Sequence, residues 1–272
     1  MAALPRRLWK EMTTVDFSAT DTSRWIAMLP VAAIEQHGPH LPVATDTTIN
    51  EGCVAALLAK LPAELPLTVL PTQCIGKSNE HIHSPGTLTL SYETLARVLI
   101  EIGESVARAG VRKLILANSH GGNIAVLDIV ARELRVRHGM LCVVASWSRL
   151  GQPEGVYSAW ENAYGIHGGD METSVMLALT PELVRMERAA RFASLQERLV
   201  QEHKMLRAHG TAPFGWIAQD LSPDGTVGDA SLATAEKGHL SIDAVTDRMV
   251  ELIADMHAFD MSALWAPQNP KA

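Results

Sequence analysis

Apolar residues in this chain come in two rhythms, short unbroken runs and longer stretches spaced three or four apart. Residues 25–33 (WIAMLPVAA) form the first run, the pattern of a strand covered on both faces. Residues 67–70, 113–117 (KLILA) and 140–145 (MLCVVA) repeat it. Between them, Val54, Leu57, Leu58 and Leu61 put an apolar stripe on a helix over 48–61, with Thr48 and Glu51 at capping-box spacing. Leu95, Val98, Leu99, Ile102 and Val106 mark a helix running from Ser91 as N-cap to Gly110 as stop. Ile124, Leu127, Ala131 and Leu134 mark the next. Strand and helix alternating at this spacing predict an α/β domain, a mainly parallel sheet with helices on both faces.

The second half is less regular. Residues 171–179 read as a helix ending before Thr180-Pro181, a pair suited to starting another. A charged helix is predicted over 194–208, and a long Gly- and Pro-containing loop over 209–238. An amphipathic helix over 241–259 closes the pattern through Val245, Met249, Leu252, Ile253 and Met256. No repeat or linker divides the chain, so residues 1–272 are read as one domain.

With 30 acidic against 23 basic residues the chain carries −7 at neutral pH, the wrong sign for a nucleic-acid binder. No stretch approaches the apolar length of a membrane span, and the first residues lack the core of a signal peptide. Cys53, Cys74 and Cys142 form no C-x-x-C pair and are expected to be core thiols in a reducing cytoplasm.

Chemistry gathers where the apolar runs stop. Glu35 and His37 are two apart, so they point the same way at the carboxyl end of a parallel strand, where such sheets bind ligands. Gly38-Pro39 turns the chain, and Asp46 arrives just before the predicted helix. Taken singly, Asp46 is a helix cap and the other two are loop polars. As a group they suit zinc, manganese or iron, because charged side chains ending a buried strand need a partner. KLILA likewise runs into Asn118-Ser119-His120-Gly121-Gly122-Asn123, which sets His120 on the same edge as a fourth ligand and lets backbone amides approach a substrate oxygen. In GIHGGDMETS (165–174), His167 precedes a helix and Glu172 lies in its first turn. Glu172 either complements the helix dipole or binds metal beside a proton-transferring histidine. His81 and His83 are read as pocket lining or interface, and His40 as a turn residue or one that sits behind the ligands.

These motifs resemble the signatures of the creatininase (creatinine amidohydrolase) family: E-Q-H-G-P-H-L-P with T-D-T, N-S-H-G-G-N, and H-G-G-D-M-E-T. Gly76-x-Ser78-x-Glu80-His81, the Pro85-Gly86-Thr87 turn, and Gly228-Asp229 with Ala233-Thr234 resemble its intermediate motifs. The resemblance implies a three-layer α/β/α sandwich, a metal-dependent amidohydrolase acting on a small-molecule amide, and a homo-oligomer, usually a hexamer. It implies one or two divalent ions (Zn, Mn or Fe), one held by Glu35, Asp46 and His120, the other by His37 and Asp46. His167 is then the residue that protonates the departing nitrogen.

Two positions depart from creatinine-hydrolysing members. A glutamate two residues beyond the His120 equivalent completes the second ion there. Here Gly122 stands in that place, and Glu172 is read as its replacement, as ligand or proton relay. A tryptophan four residues before the His167 equivalent is Ala163 here, while Trp147 and Trp160 are read as core or lid residues. Both departures argue against creatinine and leave a small cyclic amide or a formamide as substrate. That family also includes a formamidopyrimidine deformylase and a peptidase that trims the mycofactocin precursor, which Gly122 fits at least as well. A non-catalytic scaffold with a closed metal site is the alternative from another class, disfavoured because structural zinc usually prefers cysteine.

Overall fold

Alternate residues of the first strand serve opposite cores. Ile26 and Met28 pack with Ile49, Cys53, Val175, Ile242 and Met249, whereas Ala27, Leu29 and Val31 pack with Leu95, Leu99, Leu127 and Val130. A strand apolar on both faces therefore lies between two helical layers, as its unbroken run predicts. Each fully buried leucine or isoleucine contributes roughly 1.5–3 kcal/mol to that arrangement.

The computed structural model describes residues 4–265. Its strands are β1 (Ile26–Val31), β2 (Leu67–Val69), β3 (Lys113–Asn118) and β4 (Leu141–Ser146), with a short pair β5 (Arg191–Phe192) and β6 (Gly228–Asp229). Its helices are α1 (Thr14–Ser18), α2 (Thr45–Lys60), α3 (Tyr92–Arg108), α4 (Ile124–His138), α5 (Ala159–Tyr164), α6 (Asp170–Leu179), α7 (Leu195–Glu202), α8 (Ala218–Leu221) and α9 (Ala235–Ala258). The first four strands make one parallel sheet in the order β2-β1-β3-β4. Helices α3 and α4 cover one face, and α2, α6 and α9 the other, giving the expected α/β/α sandwich. Pro30 is tolerated in a central strand because residues 26 and 32 send their N–H groups toward the β2 side, to Pro66 and Gln73, and β2 has already ended when the chain reaches residue 30. Lys113 opens β3 and donates to the Met256 (2.6 Å) and Phe259 (2.9 Å) carbonyls, placing its charge at the negative end of α9.

Several boundaries differ from the expectations. Helix α2 starts at Thr45, so the Thr48–Glu51 capping box does not form and Asp46 lies inside the first turn rather than before it. The Gly38-Pro39 turn returns the chain so early that Thr45 Oγ1 already bonds the Pro42 carbonyl (2.7 Å). Thr180-Pro181 starts only a single 3₁₀ turn. Helix α7 stops at Glu202, and Arg207 folds back to donate to the His203 carbonyl (2.8 Å). Helix α9 begins at Ala235 under Thr234 as N-cap, well before 241. Its polar first turns hid that start, and Gly238 lets it cross directly against the α6 backbone at Ser174. The predicted loop over 209–238 therefore holds α8 and β6 as well as the start of α9. Among the described residues no helix is long and apolar enough to cross a membrane.

Candidate metal centre and active-site cavity

Glu35, His37 and His120 lie just beyond the carboxyl ends of strands, Asp46 and Glu172 in the first turns of helices, and His167 in the loop before α6. Beyond β1 the chain stays extended, and Glu35 N bonds the Val43 carbonyl (2.8 Å). Beyond β3, Asn118 clasps the turn, its Nδ2 donating to the His120 carbonyl (2.7 Å) and its Oδ1 accepting from His120 N (3.2 Å). Asp46 comes from the first turn of α2, and Glu172 from the first turn of α6.

Together they form two sets of ligand atoms that share Asp46. One set is Glu35, Asp46 and His120; the other is His37, Asp46 and Glu172. His120 Nδ1 lies 3.2 Å from Glu35 Oε1 and 3.4 Å from Asp46 Oδ2. His37 Nε2 lies 3.6 Å from Asp46 Oδ1 and 3.8 Å from Glu172 Oε2. Each carboxylate oxygen of Asp46 thus faces a different imidazole.

The tautomers are set by backbone carbonyls. His37 donates from Nδ1 to the Glu35 carbonyl (3.1 Å), His120 from Nε2 to the Lys77 carbonyl (3.0 Å), and His167 from Nε2 to the Gln36 carbonyl (2.7 Å). The second nitrogen of each ring therefore faces the carboxylates and is the one left for a cation, with His167 Nδ1 3.7 Å from Glu35 Oε1. A ring fixed through one nitrogen and presenting a lone pair from the other is the arrangement of a metal-binding histidine. Glu35 Oε1 and Oε2, His37 Nε2 and Asp46 Oδ2 are buried and make no hydrogen bond within the protein. Such groups are costly unless a cation meets them. The donor set fits a divalent ion.

Electrostatics lead to the same conclusion. Burial disfavours charge on His37 and His120, yet Asp46 for the first and Glu35 for the second outweigh it and hold both pKa values up at about 10, so each ring carries a proton that a metal ion would displace. Burial, then the charges of Asp46 and Glu35, push Glu172 up to about 7 against the pull of His37 and the Gly168 N–H. His167 is held well below the ordinary histidine range by burial and by the neighbouring His37 and His81. The carboxylates thus draw positive charge into the pocket, while His167 stays neutral.

His81 lies in the cavity wall rather than in either ligand set. Its Nδ1 accepts from Gln36 Nε2 (2.8 Å), so its N–H faces Glu35 Oε1 (3.4 Å) and has no lone pair to offer. His83 is exposed. His40 is buried apart from the cluster, 2.9 Å from Thr173 Oγ1 and stacked on Phe192. Trp147 is a buried cavity wall whose Nε1 bonds Asn50 Oδ1 (3.0 Å), while Trp160 bonds Glu197 and lies under Arg191.

Two acids to which the sequence alone assigns no role lie here. Glu80 faces the back of His120, with its Oε1 3.7 Å from Nε2. Glu161 is buried beneath the His167 loop and accepts from Asp170 N and Asp229 N, both at 2.8 Å. A side chain at Gly165 or Gly169 would run into that carboxylate. The only trace in the sequence is an acid near glycines that have no turn to make. Glu161→Ala should leave two buried donors unpaired and cost about 3 kcal/mol, read as a lower midpoint in urea unfolding with an unchanged slope.

The cluster opens into a cavity of about 600 Å³ walled by Trp147, Ile166, Met171, Val175, Trp216 and Ile242, with Arg149 and Gln152 also on its surface. The loops 73–90 and 209–238 contribute Glu80, His81, His209 and Trp216 to it.

Comparison with known proteins bears on this arrangement. A family model described as creatinine amidohydrolase (Creatininase) matches residues 10–253. The mycofactocin precursor peptide peptidase of Mycobacterium ulcerans (strain Agy99) is 33% identical over 240 residues, 85% of this chain and 86% of that protein. The creatinine amidohydrolase of Pseudomonas putida is 28% identical over 246 residues, 85% of this chain and 89% of that one. A solved structure described as "Creatininase Mn" matches with a TM-score of 0.71 at 26% identity, over 93% of this chain and 99% of that one.

Proposed function

The chain belongs to the creatininase family of hydrolases that cut carbon–nitrogen bonds, and from that premise we propose that it hydrolyses a small cyclic amide or a formamide at the Glu35–Asp46–His120 and His37–Asp46–Glu172 cluster. The observation that carries this reading is the set of backbone-anchored rings whose other nitrogens face buried carboxylates that lack hydrogen-bond partners. Zinc, manganese or iron suits these donors, with Glu172 as the third ligand of the set that Gly122 leaves short.

A divalent ion bound there supplies Lewis acidity, which makes water acidic near neutral pH and polarises an amide oxygen. The protein supplies the rest. His167, neutral and open at Nδ1, takes a proton from the attacking water and passes it to the departing nitrogen. Burial and the neighbouring His37 and His81, which hold its pKa down, favour that second transfer. Gln36 holds the ring in place through its carbonyl, and Thr226 Oγ1 bonds the His167 carbonyl. Gly121 and Gly122 leave the backbone at the start of α4 open to the cavity, where its amides would face the developing oxyanion.

A second reading has its own support. At about 600 Å³ the cavity is of ordinary size for a drug-sized ligand and leaves room beyond a compact ring, and the relative at 33% identity is a precursor peptide peptidase. An extended, peptide-like amide with an apolar group against Trp147 and Ile242 fits that volume. Metal-loaded protein assayed against lactams, cyclic ureas, formamides and short peptides separates the readings. Turnover confined to the small amides and formamides supports the first, turnover confined to peptides the second. Full metal content with no turnover of any of them points to a scaffold.

The whole chain, 1–272, acts as one domain in this proposal, because both apolar cores share the one sheet. It is a cytoplasmic homo-oligomer, a hexamer by its family likeness. The edge strand β4, with Leu141 and Val143 only half covered, offers it an apolar contact.

A further inference from the structure

We propose that Glu80, held by Lys77, positions His120 for metal binding, and that residue 122 is glycine because the Glu80 carboxylate fills the space a side chain there would need. This rests on His120 being a metal ligand.

The nitrogens of His120 face different surroundings. Nδ1 looks into the cluster, toward Glu35 and Asp46. Nε2 looks away from it, onto the turn at residues 77–80, where it meets the Lys77 carbonyl (3.0 Å), Ser78 Oγ (3.4 Å) and Glu80 Oε1 (3.7 Å). Glu80 is outside both ligand sets, so its carboxylate acts on the ion through the ring. A negative charge beside the N–H edge favours the tautomer with a bare Nδ1 and raises the basicity of that nitrogen.

Something must keep this carboxylate from turning into the solvent or into the cluster. Lys77 does so, with Nζ 2.7 Å from Oε2, which leaves Oε1 for the histidine. The turn itself is fastened to neighbouring elements, Lys77 N to Asn123 Oδ1 (2.9 Å) and Ser78 N to Thr89 Oγ1 (2.8 Å).

Gly122 is the third part. A Cβ there would collide with Glu80 Oε1, His120 Nε2 and the Lys77 carbonyl at once. Any side chain at 122 would push the turn off the ring, so the glycine and the glutamate are one device.

The test measures binding of Zn(II) alone to metal-free protein by chelator competition, with melting of the metal-free form alongside. Glu80→Gln should weaken the ion by about 10–100-fold while metal-free melting stays within about 3 °C of the wild type. Lys77→Met should move affinity the same way by less, and the double variant should bind no worse than Glu80→Gln, since Lys77 acts only through Glu80. Wild-type affinity in Glu80→Gln would overturn the proposal, as would equal losses of affinity and melting temperature across the variants, which would mark a packing role. If Glu80→Gln does not fold, Lys77→Met is judged by the same pair of measurements. A wild type that takes up no zinc would sink the metal reading of the cluster itself, and this proposal with it. Tight wild-type binding with no effect at 80 or 77 would sink this proposal alone.

Discussion

Asp46→Asn is expected to fold, to lose its metal and to lose activity by roughly 10⁴-fold or more. A zinc site of four ligands is worth about 10–16 kcal/mol, so one ligand accounts for a few kcal/mol. Asp46 presents one oxygen toward His37 and the other toward His120, so its loss is felt in both ligand sets. About 5 kcal/mol corresponds to the stated loss. The metal-free variant should also melt below metal-free wild type. In the wild type Asp46 is the buried carboxylate that faces His37 and His120 and sustains the charge on His37, and the neutral amide gives up that pairing. Elemental analysis, calorimetry and turnover on one preparation check all three expectations. Full metal content with full activity would remove Asp46 from the site.

His167→Asn should behave differently, keeping its metal and its KM while kcat falls by about 10²–10⁴-fold, the usual worth of a proton-transfer group. Its ring donates to the Gln36 carbonyl, and an asparagine amide can keep that bond without relaying a proton. His167 also lies within ligand distance of Glu35 and His37. A fall in metal content that parallels the fall in kcat would therefore make it a ligand. Retained metal with lost turnover assigns it to proton transfer.

These residues differ in how they could be found. Glu35 and His37, and then His120, stand out because each follows an apolar run at the edge where a parallel sheet holds ligands. Asp46 was readable as a candidate, although its place inside α2 was not, because the turn at Gly38-Pro39 and the Thr45 bond set where the helix begins. The start of α9 is not legible in the sequence for a related reason, since its first turns are polar and gain their helical partner only when Gly238 meets α6.

Local order by itself determined the strands, most of the helices and the edge on which the chemistry gathers, because periodicity and abrupt polarity changes act over neighbouring residues. Only the tertiary structure decided that Asp46 faces two histidines, that Glu172 reaches His37, and that Glu80 and Glu161 brace the loops of His120 and His167. Those contacts join residues many positions apart, and a carboxylate's role is set by the charges and donors that packing brings to it.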